Sequence, residues 1–473
     1  MPGARSTTTR QRPRDARGVP LSGATPSAAL AYEQALAASL AWRADTTLQL
    51  DAALREAPQF VMAHALRAYQ LIASRDPQQH RAARPLLERS PGWRADWHER
   101  THLAAIAAAL DDDLVRMRAH LDELLDARPH DLLALQVSQT IDYMVGDSRR
   151  MLARVDSVLR RLPAGLPGRA SVLAMQAFAG VENAESARAE AAAYSALEID
   201  PRDARAHHAM AHVLEMGNRH GEGVRWMNEN REAWAHGTTF ATHGSWHLAL
   251  FHLAGEDAGA ALSIYDRHLG GTRSAALADL IDAASLLWRI ALRGHDVGAR
   301  AIELADAWET HIDDRHCSFS DLHAMLAFGL AGDGARADRL ERALVHSAAQ
   351  ASRHGATTLE LGLPGVRALR AFVRGDASLA MALLASLPPL VHQLGGSHAQ
   401  RDVVHLTLRA AIERARRPGR HGRSGPQPMA KRQTAHRLER PLWGRVTFGR
   451  PNRQGGTGSD IRASSPSSLQ SAP

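Results

Sequence analysis

Cysteine is almost absent. Cys317 is the only one in 473 residues, which excludes an internal disulfide framework and any all-thiolate zinc site. Lysine is equally scarce: Lys431 stands alone among many arginines, a bias that coding composition explains better than chemistry. Aromatics make up 5% of the chain and β-branched runs are rare, so strands are not expected. No run of about 20 apolar residues occurs, and the N-terminal stretch MPGARSTTTRQRPRDARGVPLSGATPSAAL contains no apolar segment of the signal-peptide kind. Neither a membrane partner nor secretion is expected, and a reducing, cytoplasmic setting fits.

Alanine, leucine and arginine dominate what is there, favouring helix from about residue 27 to residue 416. The formal charge of +7 is unevenly placed. Residues 416–473 carry twelve basic residues against Glu439 and Asp460, and residues 1–26 carry five arginines against Asp15. Without these tails the body is near −7, so its surface is not a phosphate-tracking one. A nucleic-acid partner is expected only through the basic tail.

A glycine followed by a small or polar residue separates helix-periodic stretches at Gly146, Gly217, Gly255, Gly294, Gly332 and Gly375; with Gly180 the intervals are 34, 37, 38, 39, 38 and 43. Pro58, Pro91, Pro129, Pro163 and Pro201 recur every 33 to 38 residues and end the second helix of each unit. Such spacing belongs to helical-hairpin repeats. The expected fold is all-α, a superhelical solenoid of nine or ten tetratricopeptide-like hairpins over 27–416. Its flanks, 1–26 and 417–473, are rich in Arg, Gly, Pro and Ser and are expected to be disordered. Val213, Phe251, Ile290 and Phe328 each stand four residues before a turn glycine and are expected to pack on the next helix. Ala260, Ala299 and Ala337 are expected to let paired helices approach closely.

Histidine is over-represented, with 26 in the chain. His208 and His212 lie four apart, as do His243 and His247 in HGSWH, so each pair projects from one helix face as in two-histidine metal sites. Gly244 stands where an HExxH motif carries its glutamate, so HGSWH lacks a protease base. Asp321 or His323 could join these histidines. Trp226, Trp234, Trp246, Phe251 and Tyr265 recur at helical spacing and read as core. In FSDLHAMLAF, Ser320 is expected to cap a helix with Asp321 in its first turn. In GGSHAQRD, Ser397 reads as a helix cap, and no GxSxG or phosphate loop is present.

Four blocks, HVLEMGNRHGEGVRWM, THGSWHLALFHLAGEDAGAALSIYD, SDLHAMLAF and GGSHAQRD, make residues 30–415 similar to the tetratricopeptide repeat protein 38 family. The resemblance implies an array of tetratricopeptide-like units and no established enzymatic activity. Its motif positions fall on His212, Glu215, Gly217, Trp226, His243, Trp246, His247, Tyr265, Asp266, Ser320, Asp321, His323, Gly396, His398, Gln400, Arg401 and Asp402. On the ordinary repeat template His207 and His252 face the groove, while His247 turns toward helix packing.

The leading expectation is a non-enzymatic scaffold holding a protein or peptide in its concave groove, with no catalytic residue, metal or cofactor. The candidate groove or ligand-binding residues are His207, His208, His212, His243, Trp246, His247, His252, Asp321, His323, His398, Arg401 and Asp402. The alternative is a metal- or small-metabolite-binding protein, with enzymatic activity left open, that uses histidines and carboxylates shared between repeats. It requires imidazole nitrogens from His208, His212, His243, His247 or His323 to converge within about 4 Å of a common point in a ligand-accessible cavity, and scattered or core-packed histidines would remove it.

Overall fold

The computed structural model describes residues 12–271 and 273–416. Among them the chain is all-α, and the extended backbone is confined to two isolated bridges, Arg14 with Pro20 and Arg43 with Thr238. Ten helical pairs run from Pro26–Leu40 with Thr46–Glu56 to Leu363–Arg374 with Ala377–Leu384, and a single helix, His398–Ala415, follows them.

The repeat is written in the backbone. Left-handed residues close the first helix of each pair at Trp42, Arg75, Asp112, Gly146, Ala184, Asn218, Glu256, Gly294, Gly332 and Gly375, 33 to 43 residues apart. A left-handed residue lets the chain reverse while hydrogen-bonding the last helical carbonyls. An aspartate often starts the next helix: Asp113, Asp147, Asp257, Asp333 and Asp376 each accept a backbone N–H from the new first turn. That satisfies an orphan donor and sets negative charge at the positive end of the helix dipole.

Gly180 departs from the expected pattern. It lies inside Arg169–Val181, the left-handed residue is Ala184, and a Cβ on Gly180 would sit 3.3 Å from the Ala189 Cβ. Its small size serves helix packing.

First and second helices are buried differently. Gly334–Ala348 buries only Ala337, Leu340, Leu344 and Ser347, one stripe of an amphipathic helix. Ser318–Ala331, by contrast, is buried at every position from Ser318 to Leu330. Val213, Phe251, Ile290 and Phe328 are buried as expected. Ala299 is exposed and Ala260 half-buried, so the close approach falls instead on Ala301 and Ala261.

Contacts between distant segments enclose the first helices. Tyr143 Oη donates to Gln400 Oε1 at 2.6 Å, the Trp288 indole N–H donates to Thr407 at 2.8 Å, and the His398 N–H donates to the Glu182 carboxylate at 3.0 Å.

The head of the chain corrects an expectation. Residues 12–25, expected to be disordered with the rest of 1–26, are ordered against the body. Arg17 is buried between Asp15 and Glu33, Val19 and Leu21 join the core, and the Ser22 N–H donates to Glu99 Oε1 at 2.7 Å. Arg17, one of the five arginines of residues 1–26, is internally paired. The remainder of that segment, 1–11, and the tail at 417–473 lie outside the described residues.

Candidate functional site

Two helices supply the centre of the site. Ala204–Met216 starts at Asp203, whose carboxylate accepts the Ala206 N–H and the Ser171 hydroxyl. With its start fixed, His208 and His212 emerge one turn apart on one face. His243 and His247 do the same on Ala241–Ala254. Gly244 is required there by packing, because a Cβ would come within 2.6 Å of the Trp234 ring.

The two faces meet. His208, His212, His243 and His247 each offer a ligand atom, and these atoms lie within 4.8 Å of one another. The Nε2 atoms of His208 and His212 stand 2.9 Å apart. His247 Nε2, His208 Nδ1 and His212 Nδ1 are buried without a protein partner. Two of the rings are held from behind: His243 Nδ1 meets Asp282 Oδ2 at 2.7 Å and His247 Nδ1 meets Glu215 Oε2 at 3.2 Å. A carboxylate on Nδ1 fixes the ring and its tautomer, leaving Nε2 as the lone-pair nitrogen, which is how metal-bound histidines are usually supported.

Burial sets the charge state. It holds His208, His212 and His247 well below the usual histidine range, and neighbouring imidazoles push the same way. Burial also opposes the His243 cation, but Asp282, with Glu215 and Asp279, outweighs it and the His243 pKa is raised. The Glu215 carboxyl is pushed up to about 7 by burial, with Arg289, His220 and His243 opposing. Three neutral imidazoles with His243, which gives up its proton to bind, form a donor set for a borderline divalent cation such as zinc, and a poor one for magnesium or calcium, which take oxygen.

An aromatic wall surrounds the rings. Trp246 stacks on His243 with centroids 5.1 Å apart, and Trp42 and Phe178 each pack 5.1 Å from His208. Trp234, Phe251 and Tyr265 are core residues, as expected.

The other candidates lie elsewhere. His207 is buried, with Nε2 3.0 Å from the Pro201 carbonyl and its ring beside Trp226. His252 is partly exposed near Asp257. His323 donates through Nδ1 to the Phe319 carbonyl at 2.8 Å, outside the cluster, and burial lowers its pKa to about 4. Asp321 is buried, which pushes its carboxyl well up. Ser320 is not the cap, because Cys317 holds that position. Ser397 and Gln400 form a reciprocal capping box at the start of His398–Ala415. Arg401 and His398 converge on Glu182, and Asp402 lies near Arg289 and His405.

Sequence reasoning missed Asp282, Trp42 and Glu182, each from another unit of the repeat. An HExxH string, His98-Glu99-Arg100-Thr101-His102, lies outside the His207–His252 region where histidine is densest. Both of its histidines meet Asp131 Oδ2, at 2.5 and 2.9 Å. Glu99 turns away, accepting the Ser22 and Asp96 backbone N–H groups.

No protein-family model matches the chain. Among the described residues, no helix is long and apolar enough to cross a membrane.

Proposed function

We propose that the protein binds one divalent transition-metal ion through His208, His212, His243 and His247, with Asp282 and Glu215 as outer partners. The observation that supports it best is the convergence of four imidazoles within 4.8 Å, two of them backed by carboxylates. Two carboxylates would balance a dication held by neutral ligands. Four protein nitrogens complete a tetrahedral shell, which is the make-up of a structural or storage site rather than of a catalytic one with an open position.

In this reading the ten helical pairs are a tetratricopeptide-like superhelix of the protein 38 kind, cytoplasmic, with the terminal helix His398–Ala415 held through Tyr143, Glu182 and Trp288. A scaffold role for a protein or peptide partner is the second reading. It is supported by apolar side chains exposed on second helices, Leu48, Val115 and Ile302 among them, and it would use the outer surface. Of the two residues that the repeat template places toward the groove, His207 is buried and His252 is partly exposed.

The test is elemental analysis of the full chain after exhaustive dialysis, with His243→Ala/His247→Ala as comparison. The double variant is expected to hold one metal equivalent fewer than wild type. Equal metal content in both would refute the assignment.

A further inference from the structure

We propose that His98, His102 and Asp131 form a second divalent-cation site, separate from the four-histidine cluster. Three observations carry it.

The first is convergence. His98 and His102 share one face of Trp97–Leu110, and Asp131 caps Leu132–Met144. Their ligand atoms lie within 4.8 Å of one another, and all three residues are buried. Asp131 Oδ1 is fixed by the Ala134 N–H at 2.9 Å, which leaves Oδ2 to the histidines. Tyr69 Oη, 3.1 Å from His102 Nδ1, supports that ring from behind.

The second is charge. The ion-pair partners of Asp131 among the described residues are these two histidines, with no arginine. A buried carboxylate is stable only with such a partner, and at Oδ2 that partner is a histidine N–H or a cation in its place. A dication at Oδ2 and the two Nε2 atoms would take the place of the bridging protons, which pass to solvent from a protonated ring or to Nδ1 in a neutral one, and would keep the same three atoms together.

The third is space. A cavity of about 10 Å³ lies against His98 and Asp131, with Asp15, Arg17 and Tyr32 among its lining residues. That is room for about one water molecule beside His98 and Asp131, and a two-nitrogen, one-carboxylate zinc-type site takes a water as its fourth ligand. The ordered head of the chain roofs this cavity with Asp15, Arg17, Val19 and Leu21. Despite the HExxH spacing no hydrolytic step follows, because both Glu99 oxygens are engaged by backbone N–H groups.

Cobalt(II) titration of the full chain, followed by its visible absorption and by equilibrium dialysis, tests the site. Wild type is expected to take up two equivalents and His243→Ala/His247→Ala one. The same background carrying Asp131→Asn is expected to take up none. Asparagine keeps the helix cap through its side-chain oxygen; if the helical circular-dichroism signal still falls, His98→Gln replaces it, with the same loss expected. One equivalent in wild type and none in the double variant would overturn this second site and leave the first. One equivalent that survives the double substitution but disappears with Asp131→Asn would support this site and overturn the four-histidine reading. An equivalent retained by both Asp131→Asn and His98→Gln would overturn the proposal, as would a wild type that binds nothing.

Discussion

Burial decides what each histidine in the molecule can do. Inside the cluster it keeps three imidazoles neutral, so that their lone pairs are available at neutral pH. Asp282 sits behind His243, and Asp282→Asn keeps the shape while removing the charge. Metal affinity is expected to fall about 10- to 100-fold, measured by competition with a chromophoric chelator; unchanged affinity would remove Asp282 from the site. Gly244→Ala is expected to destabilise the fold by about 1–3 kcal/mol, because the new methyl meets the Trp234 ring. Chemical denaturation measures it.

His323 carries a pH prediction. Its pKa is about 4 when folded against about 6.5 unfolded, so the unfolded chain binds the proton more readily between these values. The neutral-pH stability is therefore fully present above about 6.5 and falls as pH drops toward 4, by up to about 3 kcal/mol from this residue. His323→Gln should flatten that part of a stability-against-pH curve, and an unchanged slope would place the His323 pKa near its ordinary value.

At the scale of elements, turns were legible in the sequence and partners were not. Glycine and aspartate at the turns and proline after second helices are local backbone chemistry, readable one unit at a time. Gly180 misled because its glycine answers to Ala189 across a helix contact and not to a turn. The two i, i+4 histidine pairs were legible as helix faces. Their meeting depends on how Ala204–Met216 packs against Ala241–Ala254, and Asp282 arrives from a third helix, Leu277–Leu292. Arg17 fell in a segment expected to be disordered because nothing local reveals its pairing with Glu33.

The terminal helix gives a prediction at this scale. Gln400 closes its capping box and accepts the Tyr143 hydroxyl. Gln400→Ala should cost about 1–2 kcal/mol by urea unfolding, whereas a loss under about 0.5 kcal/mol, the range of ordinary surface substitutions, would mean that this contact does not hold the helix in place.

For the whole molecule, the central claim is that the interior of an all-α repeat array is a metal site. A ligand that binds only the folded state stabilises it by about 4 kcal/mol at a thousandfold excess over Kd, so zinc should raise the thermal midpoint of the wild type and leave His243→Ala/His247→Ala less affected. The most direct measurement is X-ray absorption at the zinc edge, on zinc-loaded full chain carrying Asp131→Asn so that only one site is filled. Four imidazole nitrogens at about 2.0–2.1 Å are predicted. A shell dominated by oxygen, or zinc lost on dialysis, would contradict the account.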